Sequence, residues 1–106
     1  MANIFEQAKQ AIKMRSEQKR IQKELERIVV EYSNGGIHAT MKGDMTLTSL
    51  KFDDDALAEL KQGKTERFTT MMQNVFNGVL KKAKEATQEK MMSMMKEGGL
   101  SGLFGG

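Results

Sequence analysis

From Ile4 to Asn34 the chain carries neither glycine nor proline, and proline is absent from all 106 residues. Nothing in that stretch stops a helix early. Within it Ile4, Gln7, Ala11, Met14, Gln18, Ile21, Leu25 and Ile28 follow one another by alternating steps of three and four. This is a heptad seam degraded by two glutamines. On the far side Glu6, Lys9, Lys13, Ser16, Arg20, Lys23 and Arg27 step in the same way, and five of these seven are basic. The spacing predicts one helix over residues 4–27, about 36 Å long. Asn3 is placed to cap it, and Glu6 to reach back as the acid of a capping box.

After Arg27 the period changes. Val29, Val30 and Tyr32 are strand formers, and Ser33-Asn34-Gly35-Gly36 is a strong turn signal. Ile37, Ala39 and Met41 then alternate with His38, Thr40 and Lys42, Gly43-Asp44 makes a second turn, and Thr46 to Phe52 reads as a third strand. Strands over about 28–33, 37–43 and 46–52 form an antiparallel meander. Asp53-Asp54-Asp55 opens a short helical turn over 53–60, where acids are favoured by the helix dipole and by capping. Lys61 to Lys64 is a loop.

A second helix is predicted from Thr65 to Glu97, roughly 50 Å long. Phe68, Met72, Val75, Val79, Ala83 and Ala86 mark its buried stripe, widened by Met71, Phe76 and Leu80. Arg67, Asn74, Asn77, Lys81, Lys84 and Gln88 face away. Gly78 costs ~1 kcal/mol relative to alanine there, which suggests that another backbone comes close. Gly98-Gly99 ends the helix, and the tail at 98–106 is expected to be mobile. The expected architecture is α+β, a single domain over residues 1–97. Two helices longer than a three-stranded sheet is wide cannot both bury their stripes on it, which argues for a homodimer.

Several chemistries fall away. Without cysteine there is no disulfide, no thiolate zinc site and no thiol nucleophile. The lone histidine, His38, builds no metal centre and reads as a surface or interface residue. The longest aliphatic run, Ile28-Val29-Val30, is far short of the ~20 residues of a membrane span. No signal peptide is read at the N-terminus, so a soluble cytoplasmic protein is expected. Asp53 to Asp55 lack the glycine turn and distal glutamate of a calcium loop. Gly35-Gly36 precedes no helix and no Lys-Ser or Lys-Thr, so it is not a phosphate loop. Met91-Met92-Ser93-Met94-Met95 reads as a loosely packed, partly exposed helix end. No Ser/His/Asp set can be argued from the spacing. No enzyme, cofactor or small-molecule substrate is expected.

Binding remains. The chain has 17 basic and 14 acidic residues, a net charge of +3. The excess is gathered in residues 1–28 and 61–97, around a neutral centre and an acidic patch at 53–60. Well-separated lysines suit phosphate contacts, which position a protein without reading sequence. From Lys9 to Arg27 the stripe covers roughly 27 Å, under one ~34 Å turn of B-DNA. Tyr32 is the only tyrosine, so stacking on single strands is disfavoured.

Three segments together resemble the bacterial YbaB/EbfC family of nucleoid-associated proteins. They are Gly36-Ile37-His38-Ala39-Thr40-Met41-Lys42-Gly43, then Leu50-Lys51-Phe52-Asp53, then Val75-Phe76-Asn77-Gly78-Val79-Leu80-Lys81-Lys82-Ala83 leading to Glu89-Lys90-Met91. The resemblance spans about residues 4–97. It departs at Asp54, where the family often has proline, and at Gly78, where it often has an acid. The resemblance implies an intertwined, tweezer-like homodimer that binds double-stranded DNA in the nucleoid, shapes it and affects transcription. Carried over to this chain, it points first to Lys9, Lys13, Arg20, Lys23 and Arg27, with Arg15 and Lys19 on the flank. Lys81, Lys82 and Lys84 come second. The other reading is a protein-binding coiled-coil module such as a small prefoldin-like chaperone.

Overall fold

The computed structural model describes residues 4–97. The cap expected at Asn3 and the tail at 98–106 lie outside the described residues. The order is α1 (Ile4–Glu26), β1 (Val29–Asn34), β2 (Ile37–Lys42), β3 (Leu47–Phe52), α2 (Asp54–Lys61) and α3 (Thr65–Lys96). The fold is α+β, and the sheet is an antiparallel meander in the order β1-β2-β3. No helix among the described residues is long and apolar enough to cross a membrane.

The turns follow from local chemistry. Gly35 and Gly36 both take positive φ, 59° and 83°, as a two-residue hairpin requires. The second turn departs from expectation. Its left-handed residue is Met45, at φ 69°, and not a glycine. The Met45 N–H donates to the Lys42 carbonyl, the Lys42 N–H donates to the Thr46 carbonyl, and the Asp44 carboxylate accepts the Thr46 N–H at 3.0 Å. Met45 also packs against the core, which offsets its backbone cost. The Thr46 hydroxyl and N–H hold the Asp44 carboxyl below the usual carboxylate range.

Ile37, Ala39 and Met41 are the buried positions of β2, and α3 answers them with Val75, Val79 and Ala83. Ala56 joins from α2, and Phe52 stacks on Phe68 with ring centroids 5.6 Å apart. Gly78 is in place because a Cβ there would lie 2.5 Å from the Tyr32 ring. The close neighbour is thus a side chain of β1 and not another backbone, as the sequence had suggested.

One part of the predicted stripe is not covered. α3 lies across β1 and β2. Gly78 and Lys82 turn toward β1, so Phe76 falls on the opposite flank and stays 50% exposed. Register pairs Leu50 with Ala39 and Leu47 with Met41, which puts both leucines on the core side of the sheet. They nevertheless remain 38% and 36% exposed, because α3 lies mainly over β1 and β2 and meets β3 at Phe52, through Phe68, rather than over the two leucines.

Candidate nucleic-acid interface

No residue of α1 is buried, and Ile4 and Ile12 are 79% and 67% exposed. The helix forms because its sequence is continuous and rich in helix formers, not because a face is packed. Partial cover begins at Glu17 and includes Ile21, Glu24 and Leu25. At the root the Gly43 N–H donates to the Ile28 carbonyl at 3.0 Å, and the Lys90 ammonium lies 3.4 Å from the Glu24 carboxylate. Met94, one turn beyond Lys90 on the same flank of α3, is buried. The Met-rich segment is therefore mixed, with Met92 and Met95 exposed. A prefoldin-like coiled coil would need α1 and α3 paired along their length, yet residues 4–16 of α1 are exposed on all sides.

The predicted cations fall into distinct groups. Lys9, Lys13 and Lys23 are exposed and make no ion pair among the described residues. Arg20 is also on the stripe, but its Nε and Nη2 both donate to Glu17 Oε2, at 3.2 and 2.9 Å. Arg27 lies just past the last residue of α1, where its N–H donates to the Glu24 carbonyl, and its Nη1 donates to Glu24 Oε1 at 3.1 Å. At about 100° per residue, Arg15 sits nearer the apolar seam than the stripe, and Lys19 lies on the border.

The three lysines of α3 differ as well. Lys81 and Lys84 face solvent. The Lys82 ammonium is turned the other way and donates to the Glu31 carbonyl on the β1 edge at 2.8 Å. It is engaged with a backbone group that a sheet edge leaves without a ladder partner. The periodicity did not single out Lys90, which only the folding of α1 back to α3 brings beside Glu24 and Arg27.

The structure also joins three residues that the spacing did not connect. Ser33 Oγ lies 2.7 Å from His38 Nδ1, and His38 Nε2 lies 3.1 Å from Asp53 Oδ2. With Ser33 donating to Nδ1, the ring donates from Nε2 to the carboxylate. The Asp53 carboxylate consequently does not cap α2, although Asp53 occupies the N-cap position. The His38 and Asp53 side chains are 48% and 53% exposed, so neither is desolvated as an activated nucleophile's partners are. The chain of bonds ties β1, β2 and the start of α2 together at one end of the sheet. No group of three or more His, Asp or Glu side chains suited to a metal ion occurs among the described residues.

The family described as the YbaB/EbfC DNA-binding family matches residues 1–99. A nucleoid-associated protein of Afipia carboxidovorans is 32% identical over 103 residues, covering 95% of this chain and 93% of its own length. A nucleoid-associated protein of Rhodopseudomonas palustris is similar to the same extent, 32% identical with the same coverage of each chain.

Proposed function

The chain belongs to the YbaB/EbfC DNA-binding family, and from that premise we propose that it binds double-stranded DNA as a homodimer through phosphate contacts from the basic faces of α1 and α3. Both named relatives are nucleoid-associated proteins. The same role in this chain places it on the nucleoid in the cytoplasm, organising DNA and affecting gene expression. The observation that carries the reading is α1 itself. It is a helix with no buried residue and a row of lysines along one side that make no ion pair among the described residues. Lys9, Lys13 and Lys23 supply this row, and Lys81 and Lys84 add a second basic face.

The dimer is supported by the apolar surface that one copy leaves open. Leu47, Leu50 and Phe76 belong to the core side of the sheet and the flank of α3, yet each keeps more than a third of its surface exposed. A second copy packed there would complete the layer that α3 leaves short.

The test is a fluorescence-anisotropy titration onto an arbitrary duplex at several salt concentrations, with the mass in solution measured alongside. Micromolar affinity is expected, with a log–log salt slope of about −4 to −5 for about five neutralised phosphates. Reversing Lys9, Lys13, Arg20 and Lys23 to glutamate together removes binding and leaves the circular dichroism unchanged. Binding retained by that variant puts the DNA surface elsewhere. A monomeric mass refutes the dimer.

A further inference from the structure

We infer that Glu17 and Glu24 attenuate DNA binding by holding Arg20 and Arg27 away from phosphate, an inference that rests on the DNA-binding reading above. A guanidinium offers its N–H groups as a planar fork, and a carboxylate and a phosphate compete for the same fork. In Arg20 two of those groups already close on one oxygen of Glu17. Glu24 serves two cations at once, with Oε1 toward Arg27 and Oε2 toward Lys90. Both acids are the less exposed member of their pair, 25% against 45% for Glu17–Arg20 and 26% against 75% for Glu24–Arg27. The carboxylates are therefore held at the helix surface, while the arginines reach back to them. Lys9, Lys13 and Lys23 have no such counter-charge among the described residues.

The stripe thus divides into lysines ready for phosphate and arginines already neutralised. Exposed pairs of this kind are weak, so the effect is a tuning of affinity rather than a block. An arginine that exchanges a carboxylate for a phosphate leaves an unpaired acid beside the DNA backbone. This lowers the gain from each such contact.

Glu17→Gln gives the cleanest test, because Glu17 pairs only with Arg20 among the described residues. Glu26, exposed and without an ion pair there, supplies a charge-matched control. In the salt titration, E17Q is expected to tighten binding by about threefold and to steepen the slope by about one unit, as one more phosphate is neutralised. E26Q tightens binding less and keeps the wild-type slope. R20Q alone leaves the slope as in the wild type, and E17Q/R20Q returns it to that value. If E17Q and E26Q behave alike while the wild type binds DNA, the inference fails and the DNA-binding reading stands. If neither the wild type nor any variant binds, the DNA-binding reading itself is refuted, and this inference with it. All variants lie on a helix outside the core, and circular dichroism verifies that each is folded.

Discussion

α1 and α3 are both long, basic and free of proline, yet one has no buried residue and the other buries Val75, Val79, Ala83 and Met94. The difference lies in the composition of the apolar face. The α3 stripe is wide, and its small or branched residues let the helix sit close on β1 and β2, with Gly78 against the Tyr32 ring. The α1 seam is narrow and interrupted by Gln7 and Gln18. A helix with such a seam gains little from docking on the sheet, so it stays in solvent, with Lys9, Lys13 and Lys23 making no ion pair among the described residues. One helix therefore holds the fold and the other leaves its faces to solvent.

The largest contrast comes from placing the same charge on each helix. Val79→Asp puts an unpaired carboxylate at a site with no exposure, which should cost several kcal/mol and abolish cooperative unfolding. Met14→Asp, on the α1 seam at 50% exposure, should change stability by no more than about 0.5 kcal/mol. Equal damage in denaturant titrations would show that the α1 seam is buried in the assembled protein.

A smaller effect is expected where α3 meets β1. Gly78→Ala gains about 1 kcal/mol of helix propensity but drives a Cβ into the Tyr32 ring, an overpacking that costs about 1–3 kcal/mol. Net destabilisation of about 1 kcal/mol follows. In a Tyr32→Ala background the same change becomes stabilising. A stabilised G78A single variant would mean that the ring yields freely.

The smallest effect belongs to the Asp44 turn. Because Thr46 lowers the Asp44 pKa in the folded state, the contribution is present above the unfolded value of about 3.9. It is lost as pH falls through the lower folded value. Thermal midpoints of D44N and the wild type should differ at pH 7, and the difference should shrink as pH falls below about 3.9. A constant offset between the two would exclude the linkage.

Much of the fold was legible because its signals are local. The three-four periodicity of α1, the alternation of Ile37, Ala39 and Met41, and the Gly35-Gly36 turn each depend on residues close in sequence. Met45 was not legible as a left-handed residue, since Gly43-Asp44 looked sufficient for the turn. Phe76 and Leu80 read as one stripe with Val79, although the sheet covers only part of that width. At the candidate interface the five stripe cations could be named from spacing. Their differing engagement could not, because Glu17 has more than one cation within reach along the helix and Lys82 meets Glu31 only across the fold.

The chain's own pattern determined the elements, their order, the basic side of α1 and the outward faces of α3, since backbone periodicity and helix propensity act over a few residues. Only the tertiary structure decided which lysine closes on the β1 edge, that Lys90 joins Glu24 at the root of α1, and that Ser33, His38 and Asp53 share one chain of hydrogen bonds. Those contacts join residues from different elements, and their existence depends on the angle and register at which the elements pack.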